Sequence, residues 1–360
     1  MPATLWMRAE TKPGAARTPL TPSTATALIE QGFKLVVEQS TSSAFAAEEF
    51  AAAGCEIANP GDWQQAPKDT FVLGLKELPE NIPALEHRHI YFAHAYKEQA
   101  GWAQLLHRFE LGGGTLLDLE YLVDDTGRRL AAFGFWAGFM GAALATLTWC
   151  GQQDNRHPPL GALQPWADQD ALLKELAGNL ALIAETSPPR MIVIGAGGRV
   201  GRGALELCQR LNLPHTPWDL PETARGGPFP EILAHDIFLN AVLVDRPLPP
   251  FITLDMLEGQ GRAGSLSVIA DVSCDPYGDY NPVPLYNACS TLAQPLIPVA
   301  GGIDLIAIDH LPSLLPRESS EDFANQLLPL LLQLGGSEDA PWQRAENLFH
   351  EKLQLAKGVM

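Results

Sequence analysis

The sequence predicts an α/β protein with parallel β-sheets, organised in two units. Its 360 residues correspond to about two domains of ~150 residues each. Short apolar runs alternate with helical patterns along the chain, which is typical of parallel strands covered by helices on both faces. After a polar, Pro-rich stretch at 151–169, a new strand begins at Met191. This restart predicts a second α/β unit.

The first unit contains clear local signals. Thr21 followed by Pro22 predicts a helix start, with threonine as the N-cap and proline in the first turn. Gly32 is expected to end this helix. Further strands are predicted at 34–38, 70–75, 90–94 and 115–119, and further helices at 46–53 and 102–109.

A long apolar segment follows the first unit. Residues 130–150 contain no charged side chain, and Arg128 and Arg129 precede them. About 20 apolar residues suffice to span a bilayer, so a membrane helix is one interpretation. The many alanines and glycines in the segment favour the alternative, a buried helix in tight contact with other protein, and this is what we expect.

The remainder of the chain continues the alternation of strands and helices. The boundary between the two units is predicted near 131–136. The later strands are predicted at 191–194 and 268–272, and the helices at 170–186, at 323–334 with an interruption at Pro329, and at 340–356.

Composition and charge exclude several classes of protein. Hydrophobic residues make up 46% of the chain and charged residues 18%, which excludes a disordered chain. The net charge of −18 repels phosphate backbones, so we do not expect nucleic acid as a partner. Because residues 130–150 are expected to form a buried helix, we do not expect a membrane as a partner either. We expect a small-molecule partner, and an acidic ligand would need a local basic pocket.

The cysteines predict a reducing compartment. Five are present, at wide spacings and without a CxxC pair, which argues against both a zinc site and a disulfide scaffold. The first ten residues lack the apolar core of a secretory signal. We therefore predict a cytoplasmic location and no bound metal.

A glycine-rich turn predicts a dinucleotide-binding site. The strand MIVI at 191–194 runs into four glycines and then into a helical pattern, the glycines being Gly195, Gly197, Gly198 and Gly201. Glycines allow a tight turn and close approach of a pyrophosphate, and the helix N-terminus offers N–H groups to it.

The type of dinucleotide depends on the charges that follow the turn. Asp219 lies 24 residues after Gly195, an offset at which a carboxylate bonds the ribose hydroxyls and favours NAD over NADP. The alternative remains open because Arg199, Arg202 and Arg225 are nearby in the sequence, and arginine can accept a 2′-phosphate.

Two candidate acid–base groups follow predicted strands. Lys76 ends the run FVLGLK and His94 ends YFAH, and α/β proteins bind ligands at the carboxyl ends of strands. A lysine in a partly dry cleft can serve as a base, and histidine can act as a general acid. Without function, these would be a solvated lysine and an ordinary polar histidine. His87 and His89 are expected at the surface.

Several cations close to these turns are candidates for binding carboxylates. They are Arg17, Lys97, Arg128 and Arg129. Arginine suits bidentate pairing with a carboxylate, although an ion pair with a nearby acidic residue explains each of them equally well.

The combination of these motifs resembles a known family over nearly the whole chain. The N-terminal part, with R-T-P-L-T-P at 17–22, is similar to the alanine dehydrogenase and transhydrogenase superfamily. More specific segments resemble its NAD-dependent, lysine-forming saccharopine dehydrogenases: R-A-E-T-K at 8–12, G-L-K-E at 74–77, F-A-H-A-Y-K-E-Q-A-G-W at 92–102, G-R-R-L-A-A-F-G-F at 127–135 and I-D-H-L-P-S-L-L-P-R-E at 308–318.

The resemblance implies two Rossmann-like lobes with parallel sheets and an interlobe active-site cleft. Residues 1–131 and 322–360 would form the substrate-side lobe, and residues 132–321 would form the NAD-binding lobe. The implied reaction is the reversible oxidative cleavage of saccharopine to L-lysine and 2-oxoglutarate with NAD.

The resemblance also implies roles for individual residues. Lys76 would be the base for the secondary amine and His94 the acid–base group, with Glu77 and Glu120 tuning both. The substrate would contact Arg17, Lys97, Gln99, Arg129 and Phe133. NAD would contact Arg128, Gly195, Gly198, Arg199, Gly201, Asp219, Thr223, Val272, Asp309, His310 and Leu311. Leu243 stands where some relatives carry a tyrosine that contacts the cofactor.

Two other functions remain open at the level of sequence. An amino-acid dehydrogenase acting on alanine or a similar substrate would share the fold, the lysine and the histidine, although the 308–318 segment argues against it. A non-catalytic NAD-binding protein would explain a changed cofactor contact such as Leu243.

Overall fold

The structure is a computed structural model that describes residues 3–12, 14–183, 187–244, 246–259, 264–276, 278, 280–336 and 340–358. The chain divides into two compact units. The first unit consists of Met1–Ala132 and Pro316–Met360, and the second of Phe133–Leu315. In the described part of the chain, no helix is both long enough and apolar enough to cross a membrane.

The helices of both units are mostly at the positions that the sequence predicts. In chain order they are α1 (Pro22–Glu30), α2 (Ala47–Ala52), α3 (Trp102–Gly112), α4 (Gly134–Gln153), α5 (Gln169–Leu182), α6 (Arg199–Arg210), α7 (Leu220–Thr223), α8 (Leu254–Gly259), α9 (Pro316–Leu331) and α10 (Ala340–Lys357). Pro329 lies inside α9 rather than interrupting it.

The sheet of the first unit is parallel throughout. Its strands are β1 (Thr4–Met7), β2 (Lys34–Glu38), β3 (Glu56–Ala58), β4 (Phe71–Leu73), β5 (Arg88–Tyr91) and β6 (Thr115–Asp118). Their order in space is β3-β2-β1-β4-β5-β6, and each neighbouring pair is parallel. The order reverses between β1 and β4, which is where open α/β sheets bind ligands beyond their carboxyl ends.

The sheet of the second unit is parallel except at one edge. Its strands are β7 (Met191–Ile194), β8 (His215–Trp218), β9 (Ile237–Asn240), β10 (Val268–Asp271), β11 (Ile297–Val299) and β12 (Ile303–Ile306). Their order is β11-β12-β10-β9-β7-β8, and only the β11–β12 pair among these strands is antiparallel. The two sheets confirm the predicted α/β class with parallel sheets.

The start of α1 confirms the predicted cap. The side chain of Thr21 accepts a hydrogen bond from the backbone N–H of Thr24 at 3.3 Å, and the Thr24 hydroxyl accepts one from the N–H of Thr21 at 2.9 Å. Reciprocal bonds of this kind satisfy N–H groups that the first helical turn leaves without partners.

The apolar segment is a buried helix of the second unit, as expected. Residues 138–151 of α4 are all buried. Two glycines let α4 and α6 approach closely: a methyl group at Gly138 would overlap the carbonyl oxygen of Val200, and one at Gly203 would overlap that of Phe135. The uncharged length of α4 therefore reflects burial against the sheet and α6.

The expectation that His87 and His89 lie at the surface is wrong. Their exposed fractions are 3% and 0%. β5 is an interior strand between β4 and β6, and aromatic side chains pack on the face that carries both histidines. The ring of His89 packs edge-on against Trp63 at 5.1 Å and Phe109 at 5.5 Å between ring centroids. Aromatic side chains thus enclose a polar side chain that the sequence alone predicted to be exposed.

This burial predicts a stability that declines at mildly acidic pH. Burial, followed by the charge of Arg8, lowers the pKa of His89 well below its ordinary value of 6.5. Below about pH 6.5 the unfolded chain binds a proton that the folded chain does not bind, so the free energy of unfolding falls as pH falls, by at most about 1.4 kcal/mol per pH unit for this group.

We expect the His89→Phe variant, which keeps an aromatic ring, to lose this part of the pH dependence. Urea unfolding between about pH 7.5 and about pH 5.5 measures it, with the surface variant His107→Gln as the control. Equal slopes for His89→Phe and the unsubstituted protein would contradict the prediction.

Candidate functional site

The loop that carries Lys76 is fixed by a buried ion pair. The Glu10 carboxylate accepts the backbone N–H of Leu75 at 2.6 Å and that of Lys76 at 3.0 Å. The Arg8 guanidinium donates to the carbonyl oxygen of Lys76 and lies 3.5 Å from the Glu10 carboxylate, both side chains being almost fully buried. Gly74 leaves room for this guanidinium, since a methyl group there would lie 2.6 Å from it.

Arg8 and Glu10 were not among the residues to which the sequence assigned a role. They follow β1 directly, and Lys76 follows β4 in the same way. Because β1 and β4 are parallel neighbours, the residues that follow them meet at one edge of the sheet. The signal that could have identified them is their position, since both are charged residues at the end of the apolar strand TLWM.

Glu77 stays negatively charged beside this loop. Its carboxylate lies 2.7 Å from the ammonium group of Lys12. Burial raises the pKa of Glu77, but the hydrogen bond and charge of Lys12 and the charge of Lys76 outweigh it, so the pKa lies below 4.5. The pair keeps an anion next to the proposed base at neutral pH.

His94 belongs to a charged cluster at the ends of β5 and β6. Its Nδ1 lies 3.5 Å from one Glu120 oxygen, and the Lys97 ammonium group lies 3.3 Å from the other. The hydrogen bond to Glu120 is the main cause of a raised His94 pKa, and the charge of Glu77 adds to it. The hydrogen bond with His94, together with Lys97, lowers the pKa of Glu120 to about 2.

The backbone at His94 differs from the predicted strand. β5 ends at Tyr91, and His94 lies three residues later with φ +51°. Residues other than glycine rarely adopt this left-handed conformation, and those that do often lie at functional sites. The turn directs the chain away from the strand, and His94 and Glu77 line one cavity of about 400 Å³.

The buried carboxyl group of Asp118 joins the two segments of this cluster. It accepts the N–H of Ala93 at 3.4 Å and that of Glu120 at 2.9 Å. Burial raises the pKa of Asp118 to about 7 although these N–H groups act against it. Asp118 thereby fixes the backbone on both sides of the His94–Glu120 pair.

The other predicted substrate residues are distributed more widely. Gln99 accepts the backbone N–H of Lys97 at 3.0 Å, so it belongs to the His94 loop. Arg17 is buried and lines a separate small cavity with Arg8 and Glu10. Arg129 is exposed in the turn after Asp124, next to Arg128, which was predicted to contact NAD, and half-buried Phe133 directly precedes α4.

The glycine-rich turn has the geometry of a dinucleotide-binding turn. The N–H groups of Gly195 and Ala196 donate to the Trp218 carbonyl at 2.9 Å, and α6 begins after Gly198. Gly195 has φ +93°, and a methyl group at Gly201 would overlap the Gly195 carbonyl. Only glycine allows this turn and this close approach of helix and strand.

Asp219, the carboxylate that the sequence predicts to bind the ribose, lies close to the glycine-rich turn. It caps α7, and its Oδ2 accepts the N–H of Gly197 at 2.6 Å. The Thr223 hydroxyl donates to the Asp219 carbonyl at 2.9 Å. A cavity of about 500 Å³ lies beside these residues, and Leu243 and Arg246 also line it. Arg246 had no predicted role, and no motif marks it in its Pro-rich segment.

One of the arginines that could have bound the 2′-phosphate of NADP makes other contacts. Arg225 lies 2.6 Å from the Glu231 carboxylate. Its guanidinium also stacks on the rings of Trp218 and Phe229. These contacts hold Arg225 at its own loop, whereas Asp219 remains on the wall of the cavity.

The remaining predicted cofactor residues follow β10 and β12. These strands are parallel neighbours, so Val272 and the segment from Asp309 to Leu311 lie at one edge of the sheet. A methyl group at Gly141 of α4 would lie 2.6 Å from Val272 Cγ2 and 3.7 Å from Leu311 Cδ1. Among the described residues, no group of three or more His, Cys, Asp or Glu could hold a metal ion.

The charged cluster predicts a measurable change at His94. We expect Glu120→Gln to lower the pKa of His94 toward its ordinary value of 6.5, because the hydrogen bond to the carboxylate is the largest cause of the increase. Titration of the His94 ring protons by NMR measures this.

Glu110→Gln is the matched control, since Glu110 pairs with a different histidine, His107, at 3.1 Å. It should leave the titration of His94 unchanged. An unchanged His94 pKa in Glu120→Gln would show that the pair does not control the proton.

The chain is similar to known proteins over nearly its full length. Residues 6–140 match the family model of the alanine dehydrogenase/PNT N-terminal domain. The chain is 47% identical to a saccharopine dehydrogenase (NAD(+), L-lysine-forming) from Emericella nidulans, with 97% of each chain covered. It is 46% identical to the protein of the same name from Candida glabrata, again with 97% of each covered.

Solved structures share the fold at much lower identity. An L-alanine dehydrogenase matches with a TM-score of 0.67 and 16% identity, over 99% of both chains. The transhydrogenase from Sinorhizobium meliloti matches with a TM-score of 0.64 and 16% identity, over 95% of this chain and 97% of that one. Because identity to the curated relatives reaches 47% over almost the entire chain, the protein belongs to the family of NAD(+)-dependent, L-lysine-forming saccharopine dehydrogenases.

Proposed function

We propose that this protein is an oxidoreductase of lysine metabolism that catalyses the reversible oxidative cleavage of saccharopine. In this reaction saccharopine, NAD⁺ and water give L-lysine, 2-oxoglutarate, NADH and a proton. The observation that carries the proposal is the 47% identity to the Emericella nidulans enzyme over 97% of each chain. The odd number and wide spacing of the five cysteines support a reducing compartment such as the cytoplasm.

The second unit is the proposed NAD-binding unit. The glycine turn offers the N-terminus of α6 to a pyrophosphate, and the wall of the neighbouring cavity carries Asp219 and Thr223. A carboxylate at this position suits two ribose hydroxyls and repels a 2′-phosphate, which supports NAD over NADP. When bound, NAD⁺ supplies the acceptor for the hydride that leaves the carbon next to the secondary amine.

Lys76 is the proposed base of the first unit. A neutral lysine amine would remove the proton from the secondary ammonium group of saccharopine, so that the nitrogen lone pair assists departure of the hydride. Arg8 and Glu10 hold the backbone of Lys76 through its carbonyl and N–H groups. This arrangement fixes where the side chain starts and so limits the geometries from which it can reach the substrate.

His94 is the proposed acid–base group for the hydrolytic stage. Water adds to the imine carbon to form a carbinolamine, whose collapse breaks the carbon–nitrogen bond and releases lysine and 2-oxoglutarate. These steps need a proton to be removed from water and delivered to nitrogen, which a histidine can do near neutral pH. The Glu120 carboxylate orients the ring through Nδ1 and stabilises its charged form.

The proposed substrate contacts include cations that can attract an acidic substrate to an acidic protein. Saccharopine carries three carboxylates, and the chain has a net charge of −18. Local cations must therefore attract it. We assign this task to Arg17, Lys97 and Arg129, and we expect Gln99 and Phe133 to line the substrate as polar and apolar contacts.

An assay in the lysine-consuming direction tests the function. Purified protein with NADH, lysine and 2-oxoglutarate should oxidise NADH, and omission of either substrate should stop the reaction. Ornithine in place of lysine, and NADPH in place of NADH, should give lower rates. Activity only with pyruvate and ammonia would instead indicate an alanine-type dehydrogenase, and NADH binding without any turnover would indicate a non-catalytic protein.

The two proposed catalytic residues predict a large loss of turnover. Lys76→Met and His94→Gln should each lower kcat by about 10²–10⁴-fold, the usual contribution of general acid–base catalysis, while NADH binding measured by fluorescence is retained. Lys68→Met and His107→Gln are matched controls, because these side chains pair with surface carboxylates of Glu86 and Glu110. Near-normal kcat in folded Lys76→Met or His94→Gln would exclude that residue as an acid–base catalyst.

A further inference from the structure

The second unit contains two cysteine sulfurs in direct contact. The Sγ atoms of Cys274 and Cys289 lie 3.0 Å apart. Cys274 lies three residues after β10, and Cys289 lies in the segment that precedes β11. Both cysteines are half-buried and free. Neither has a role in the proposed reaction.

The other cysteines of the chain have different surroundings. Cys55, Cys150 and Cys208 are buried, whereas Cys274 and Cys289 are only half-buried and their sulfurs are in contact. Fully buried thiols are shielded from an oxidant in solution. The chain therefore provides its own internal comparison for the reactivity of the contacting pair.

The two contacting thiols differ in their roles in the hydrogen bond between them. The Cys274 thiol donates to the sulfur of Cys289. Burial is the main cause of a raised Cys274 pKa, and the hydrogen bond to Cys289 and the charge of Asp309 add to it. A thiolate formed at Cys289 would receive this hydrogen bond as a charge-assisted one. The donor geometry therefore points to Cys289 as the sulfur that attacks an oxidant.

Hydrogen bonds of the neighbouring residues fix each of the two segments that carry the sulfurs. Cys274 has φ +49°, a conformation that persists in a non-glycine residue only when neighbours enforce it. The preceding Ser273 donates its N–H and hydroxyl to Asp271 at 3.1 and 2.6 Å. Ser290, which follows Cys289, exchanges two hydrogen bonds with the backbone of Ala307 at 2.8 and 3.0 Å.

We propose that Cys274 and Cys289 are a reversible oxidation site, at which a peroxide converts the two thiols into an intramolecular disulfide. The Cys289 thiol first loses its proton, the thiolate attacks one peroxide oxygen and the O–O bond breaks. The hydroxide that leaves takes up the released proton, so that one sulfenic acid and one water form. The Cys274 sulfur then attacks the sulfenic sulfur, the S–S bond forms, and a second water leaves with the remaining proton. In total, two thiols and one hydrogen peroxide give one disulfide and two waters.

The position of the pair places this modification beside the proposed cofactor site. Cys274 follows Val272 and Ser273 directly, and the charge of Asp309 reaches its thiol. Tyr286, in the segment between the two cysteines, donates to Asp271 at 2.8 Å. A disulfide would close this segment into a loop at the carboxyl end of β10.

Mass spectrometry of the full chain tests the proposal without reference to catalysis. Reduced protein treated with hydrogen peroxide should lose two of its five thiols and about 2 Da of mass, the two hydrogens removed when a disulfide forms. Digestion should yield a peptide pair joined through Cys274 and Cys289. Dithiothreitol should restore both thiols.

Serine variants separate the roles of the two sulfurs. Cys274→Ser should stop at a sulfenic acid on Cys289 that dimedone traps, and Cys289→Ser should leave Cys274 unmodified. Cys55→Ser is the control and should still form the cross-link. Five intact thiols after peroxide treatment of the folded protein, a sulfinic acid without a cross-link, or a cross-link to another cysteine would each overturn the proposal, whatever the outcome of the saccharopine assay.

Discussion

The arrangement of the first unit depends on one buried ion pair between Arg8 and Glu10. Both side chains are almost fully buried, and together they hold the carbonyl of Lys76 and the N–H groups of Leu75 and Lys76. Loss of one partner would leave an uncompensated buried charge, which typically costs about 3–5 kcal/mol. The pair joins the ends of β1 and β4 at the point where the strand order reverses, so the position of Lys76 depends on the sheet as well as on its own loop.

A second electrostatic arrangement acts on the proton of His94. Glu120 lies between His94 and Lys97, and buried Asp118 fixes the backbone of Glu120 and Ala93. The cations near the site stand out in a chain with a net charge of −18. An acidic protein that binds an acidic ligand needs such local charges, and here the same cluster also favours the charged form of a proposed acid–base group.

In the second unit, the position of α6 depends mainly on close contacts at glycines. Gly195 and Gly201 allow the turn between β7 and α6, while Gly138 and Gly203 allow α4 to lie directly against α6. A side chain at any of these four positions would meet backbone atoms or a neighbouring side chain at less than van der Waals distance. The helix whose N-terminus faces the proposed cofactor is therefore fixed from two sides by contacts that admit no Cβ atom.

The sequence by itself determined the elements whose signals are local. The cap at Thr21, the strand at 34–38, the glycine turn and the apolar helix α4 follow from neighbouring residues, because capping, periodicity and glycine φ angles act over a few positions. The sequence motifs around Lys76 and His94 could also be recognised without the structure. Tertiary structure alone decided the partners of these residues. Glu10 meets Leu75 across 65 positions of the chain, His89 is enclosed by Trp63 and Phe109, and Cys274 meets Cys289. Such contacts depend on strand order and on the direction of each loop, which no local pattern specifies.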